Sequence, residues 1–277
     1  MYKVSQVMGA LVGAILISGC DTSGPLPTGP AGRTTVTRSV SATDYESSLK
    51  DAGDAQIVTA SGDITSAVNE FRTLLGPLRA NVAGDSAGGR REINWDGVPA
   101  TLTNNDLFPG TFFNVNSPRG VLFTTNGSAF RVDSTGLTGV NPAYTGEFNA
   151  FSPKKLFVAR GSTIVDVQFV VAGSNNPALV TGFGSVFEDV GRSHSTTIEY
   201  FDAAGRRLLK VTAPRRSDQT GLSFAGAVFE APIVARVRIT SGDTPIGDNA
   251  FDNVGAGKKH DIVAMDDFIY GEPRHIN

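Results

Sequence analysis

The hydrophobic positions of this chain fall into three regimes. The first is an unbroken apolar run, VMGALVGAILI, from Val7 to Ile17. The second, residues 21–43, reads DTSGPLPTGPAGRTTVTRSVSAT; it has no apolar period and predicts a flexible tether. The third begins with Gln56–Ala60, a short strand pattern. Ile64, Val68, Phe71, Leu74 and Leu75 then recur at helical spacing. Ser61 or Asp63 supplies an N-cap, and Gly76-Pro77 a stop. One amphipathic helix is therefore predicted over 63–75, with its apolar face on a β-core.

After residue 90 the apolar period shortens to that of strands. Val121–Phe123, Ala129–Val132, Lys155–Val158, Ile164–Val171 and Leu179–Phe187 come first. Thr196–Phe201, Arg207–Val211, Leu222–Phe229, Ile233–Ile239 and Asp261–Ile269 follow, with Gly, Asn, Asp or Pro between the runs. Tyr200–Arg206 reads as strand, tight turn, strand, with Asp202 and Gly205 supplying the turn chemistry. A series of short strands with no second helix and no βα alternation predicts a mainly β fold: an antiparallel, jelly-roll-like β-sandwich with one N-terminal helix. Residues 44–76 form its lead-in, 77–273 the sandwich and 274–277 a tail. Composition agrees, with 17 Phe against 5 Tyr and 1 Trp, 32 Gly, and only 18% charged residues. A net charge of −3 gives no global field for nucleic acid.

The single cysteine excludes an intramolecular disulfide and any cysteine-built metal cluster. It stands at Cys20, directly after Leu16-Ile17-Ser18-Gly19 and the apolar run, with Lys3 ahead of them. The run is too short to span a bilayer, which takes about 20 residues. This segment resembles the lipobox of bacterial lipoproteins. The resemblance implies that residues 1–19 are a signal peptide removed before Cys20. The Cys20 thiol takes a diacylglycerol, its amine a further acyl chain, and residues 20–43 tether the domain to the bilayer. Asp21 is similar to the inner-membrane retention signal of enterobacterial lipoproteins. The expected location is extracytoplasmic and membrane-anchored, in either membrane.

Several phrases of the domain also resemble known proteins. Thr181–Phe187, Thr196–Gly205, Leu222–Phe229 and the closing Met265–Tyr270 resemble the exported β-sandwich domains of PEP-CTERM-type and galactose-binding-like jelly-roll proteins. Gly89–Pro99 is similar to the opening phrase of one such subgroup. The resemblance implies a sandwich and no particular activity. It also suggests one structural calcium between the first and last strands of the domain. Glu92 and Asp266 would stand there if Arg90–Asp96 pairs near the closing strand. Asp266 and Asp267 are expected on opposite faces of that strand. The inward one then needs a partner: Arg90, Arg91, Arg236, Arg238 or calcium.

The remaining candidate chemistry is sparse. His194, His260 and His275 are the only histidines, none is spaced for zinc, and no GxSxG elbow exists. His194 reads as an exposed loop residue. The loop 242–253 gathers Asp243, Asp248 and Asp252, the last two candidate calcium ligands or a hydrated surface. Glu92, Asp96, Asp266 and Asp267 form a second carboxylate set, open to ion pairing, calcium or acid–base work on glycosides. Trp95 and the stretch Leu107–Phe113 read as core.

Three functions remain open. The leading one is a non-catalytic binding or structural envelope lipoprotein whose partner is a glycan or another envelope component. A glycan hydrolase is the second, requiring clustered carboxylates in an open cleft. An assembly component docking a protein through helix 63–75 is the third, requiring bare apolar surface there.

Overall fold

The computed structural model describes residues 55–216, 221–252, 254 and 260–276, and the backbone of a two-residue strand, Arg38–Ser39. Cys20, the lipobox and the tether lie outside the described side chains. The fold is mainly β and consists of two packed antiparallel sheets.

The larger sheet has nine strands. In spatial order they run β1 (Arg38–Ser39), β2 (Gln56–Ser61), β13 (Leu222–Val228), β10 (Gly182–Glu188), β15 (Ala264–Gly271), β7 (Leu156–Arg160), β6 (Ala129–Asp133) and β4 (Asn105–Phe108). The ninth, β3 (Arg90–Ile93), pairs with the C-terminal half of β15, Ile93 opposite Phe268 and Arg90 opposite Gly271. The smaller sheet runs β12 (Arg207–Thr212), β11 (Thr197–Phe201), β14 (Arg236–Thr240), β8 (Ile164–Phe169) and β5 (Val121–Thr124). Arg274–His275, the expected tail, forms a two-residue strand (β16) against Ala178–Leu179 (β9). One short helix escaped the hydrophobic pattern: Phe112–Val115 (α2), a single turn whose first two residues are both in the core.

Between the sheets lies an aromatic core. The Trp95 ring stacks on Phe157 at 4.0 Å, with Phe113, Phe123 and Phe268 around it. Its Nε1 donates to the Asp266 carbonyl at 2.8 Å, so the one polar atom of this buried ring is satisfied. Turn chemistry also follows the expected lines. The Asp202 carboxylate accepts from the Ala204 and Arg206 amides, and Gly205 takes a positive φ.

A third layer covers the outer face of the larger sheet. The predicted helix is α1, Thr65–Leu75. Asp63 Oδ1 accepts from the Thr65 amide at 3.1 Å, and Gly76, with φ +90°, ends the helix. Ala67, Val68, Phe71 and Leu75 pack on Val58, Val186, Phe224 and Ile269. Gly184 and Gly226 face each other across β10 and β13, directly under the Phe71 ring. A Cβ on either would come within 2.8 Å of that ring, so the helix reaches the sheet only because both positions are glycine.

Candidate functional site

The closing strand positions the most unusual side chains. Its register against β10 passes from Ser185 opposite Phe268 to Phe187 opposite Met265. Two residues, Asp266 and Asp267, therefore oppose the single residue Val186, which is a β-bulge. Met265 and Phe268 both enter the core between the sheets. Both aspartates consequently lie on the outer face, rather than one on each face as strict alternation requires. Glu188, the last residue of β10, joins them there.

These three carboxyls are 1% (Glu188), 0% (Asp266) and 2% (Asp267) exposed. Phe151 and Ser152 donate their amides to Asp266 Oδ2 at 2.6 and 3.2 Å, and Ser152 Oγ donates to Oδ1 at 3.0 Å. Burial, reinforced by the charge of Asp266, pushes the Glu188 carboxyl up to about 9. Burial likewise raises the Asp266–Asp267 pair, with the two carboxyls repelling each other as anions. Buried carboxyls raised by burial and by one another are a pattern seen at catalytic sites. Here all three carboxyls are buried, and the Asp266 oxygens are taken up by Phe151 and Ser152.

Glu92 sits one strand away and is neutralised from above. Arg72 of α1 donates to it from Nε and Nη2 at 3.0 and 2.9 Å, and Arg90 from Nε at 2.6 Å. Burial would raise this carboxyl, but the two guanidiniums outweigh it and hold it below the usual range. Arg72 also approaches Asp267 at 3.6 Å. Neither aspartate points inward, and the arginine nearest Asp267 comes from the helix rather than from the strands. Arg90 serves Glu92, Arg91 is tied to the buried Glu272, and Arg236 and Arg238 hold Asp166. The strand pairing that would bring Glu92 beside the closing strand is present, yet Glu92 and Asp266 have separate partners. Asp96 stands apart from the other carboxylates: burial raises its carboxyl against the pull of Lys155 and Lys154, and Lys155 Nζ donates to its backbone carbonyl at 3.0 Å.

The acidic loop also divides. Asp248 is 74% exposed at its side chain and pairs with Arg160 at 2.8 Å. Asp252 accepts from the Val254 and Ile262 amides, both at 3.0 Å. Asp252 also meets Glu147 and Asp189, with a carboxylate oxygen of each within 4.8 Å of the other two. Asp189 is 1% exposed and adopts φ +68°. It forms an ion pair with Arg216, and its Oδ2 has no hydrogen-bond partner among the described residues. Glu147 and Asp189 belong to separate loops with no shared motif, so only the fold brings them to Asp252.

The third candidate is a surface. Along the smaller sheet Ile198, Tyr200, Val237, Ile239, Val165 and Val167 point into the core. The alternate residues point out. One cross-strand row runs Lys210, Glu199, Arg238, Asp166, Thr124 and the next runs Phe201, Arg236, Gln168, Leu122. All are at least partly exposed, so this face is an open, largely polar plane. The Arg236 guanidinium lies 3.9 Å over the Phe201 ring. His194 is an exposed turn residue with φ +67°, as its sequence context implied.

No protein-family model matches the chain, and no curated protein matches it. Among solved structures it is similar to the enzymatically active domain of bacteriophage CBA120 tailspike protein 4. Identity is 14% over 63% of this chain and 22% of that one, with a TM-score of 0.29; the chain spans about a fifth of the tailspike's length. It is also similar to TmCBM61, solved in complex with β-1,4-galactotriose: 12% identity, 61% of this chain, 94% of that one, TM-score 0.26. Likenesses at these scores carry no argument about ligand or activity.

Proposed function

We propose that this chain is a lipid-anchored extracytoplasmic protein whose β-sandwich is a non-catalytic glycan-binding module. The observation that carries the reading is the contrast between two faces. The outer face of the smaller sheet is open and carries hydrogen-bonding side chains beside the Phe201 ring, groups that can meet the hydroxyls and ring face of a sugar. The carboxylates available for glycoside hydrolysis are instead buried on the larger sheet, tied to arginines, Ser152 or backbone amides. A hydrolase requires an acid and a second carboxylate flanking an accessible bond. Helix α1 packs its apolar residues on the sheet beneath it and so lacks the bare apolar face that docking through this helix requires. Anchoring rests on Leu16–Cys20 and places the module at a membrane surface.

A bound calcium is a second reading, favoured by Asp189. Glu147, Asp189 and Asp252 with Arg216 leave a surplus of negative charge, and the buried Asp189 Oδ2 lacks a donor among the described residues. Calcium takes such oxygen ligands. Asp252 is the one residue that both the sequence reading and this cluster contain. Asp248, Glu92 and Asp266 have partners of their own.

The direct test is a glycan array probed with the full chain in mild detergent, with and without calcium. Saturable binding to a glycan class supports the module. Cleavage of an arrayed glycan, or no binding to any, refutes it.

A further inference from the structure

We propose that the outer face of the smaller sheet selects an anionic glycan, its carboxylate or sulfate groups held by Arg236 and Arg238. This inference rests on the glycan-binding reading above and names the ligand class.

The charge distribution points that way. The face carries Arg207, Lys210, Arg236 and Arg238 against only Glu199 and Asp166, a positive surplus on a chain whose net charge is −3. The surplus is organised. Asp166 accepts from Arg236 Nη1 at 2.6 Å and from Arg238 Nε and Nη2 at 2.9 and 2.7 Å. One carboxylate thus orients two guanidiniums and cancels only one of their charges. Burial works to raise Asp166, but the arginine contacts prevail and keep it ionised.

Donors remain for a ligand. Arg236 Nε and Nη2 and Arg238 Nη1 have no hydrogen-bond partner among the described residues, and the two side chains are 30% and 39% exposed. Phe201 supports the Arg236 plane from below. Guanidiniums already fixed in position lose little entropy on binding, and their fork geometry suits carboxylate and sulfate oxygens. Gln168 and Glu199, on the same face, can meet sugar hydroxyls. A membrane surface is the poorer match. Such surfaces are met by flexible lysines and inserting apolar side chains. The two rows offer one lysine, and Leu122 is half-buried.

The test measures binding of the detergent-solubilised full chain to three probes: polygalacturonate, a neutral linear galactan, and phosphatidylglycerol nanodiscs. Polygalacturonate should bind best, weakening several-fold as ionic strength rises to about 0.15 M, where the Debye length is about 8 Å. The double variant Arg236→Gln/Arg238→Gln should lose about tenfold or more in affinity, the scale of losing charge-assisted hydrogen bonds. Since that change also strips Asp166 of its partners, Lys210→Glu is the second variant. It reverses an exposed charge that forms no ion pair among the described residues, leaves Asp166 its two arginines, and should weaken polygalacturonate binding. Galactan bound as tightly as polygalacturonate, with Lys210→Glu neutral, overturns the anion selectivity and leaves the glycan module standing. Nanodisc binding without polysaccharide binding overturns the proposal in favour of lipid. Failure to bind either polysaccharide, alongside a blank glycan array, overturns both readings.

Discussion

Replacing Glu188 by Gln should make this protein more stable at neutral and alkaline pH. The carboxyl is 1% exposed, and burial with the neighbouring Asp266 pushes it up to about 9, against 4.5 for an unperturbed glutamate. The folded state therefore keeps a proton that the unfolded chain has lost, so stability declines as pH rises from near 4.5 toward 9. Each pH unit in that window costs about 1.4 kcal/mol, so the limiting penalty near pH 7.5 is about 4 kcal/mol. Relaxation and water entry around a buried charge reduce it, and about 2 kcal/mol is the expected size. Glutamine has nearly the same shape and cannot ionise. Urea unfolding of parent and variant across pH gives the difference directly, provided the m-values agree. The curves should converge below about pH 4, where Glu188 is protonated in both folded and unfolded chains, and separate in favour of Gln as pH rises. A variant less stable than its parent near pH 8, or a gap independent of pH, would show that Glu188 is held as an anion and refute the reasoning.

Other expectations concern separate parts of the molecule. Gly226→Ala places a methyl 2.7 Å from the Phe71 ring and should cost about 1–3 kcal/mol, read as a lower melting temperature; an unchanged one would mean that α1 is not seated on the sheet. If Glu147, Asp189 and Asp252 bind calcium, the ion at about 100 times its Kd adds about 2.7 kcal/mol, and Asp189→Asn removes the gain; identical melting in EDTA and calcium rejects the site. Cys20→Ser should release the expressed chain from the membrane fraction after detergent-free washing, while continued retention would disprove lipid anchoring.

The gross architecture was legible because it depends on period. Alternation along Ile164–Phe169 or Thr197–Phe201 needs only local side-chain direction to read as a half-buried strand, and Ile64 to Leu75 needs only the 3.6-residue turn. Trp95, Phe108, Phe112 and Phe113 read as core on hydrophobicity alone and are buried, whereas Leu107 of the same stretch is 71% exposed. Strands β3 and β4 and the single-turn helix α2 were less visible, since their residues lack a clean apolar repeat. The bulge at Asp266–Asp267 was hidden altogether. It is a property of the register between β15 and β10, strands separated by some eighty residues, and it reverses the facing that simple alternation assigns to Asp267.

The candidate sites divide on the same line. The sequence by itself determined which groups exist: one cysteine behind an apolar run, three histidines with no metal spacing, and a set of carboxylates with arginines to match. Tertiary structure decided which of them meet. It placed Arg72 between Glu92 and Asp267, buried Glu188 beside Asp266, gathered Glu147, Asp189 and Asp252 from separate loops, and lined up Arg236 and Arg238 around Asp166 on an open sheet. The physical reason is one of range. Backbone periodicity and turn chemistry act over a few residues, whereas burial and electrostatic pairing depend on distance in space, which only strand order and register supply.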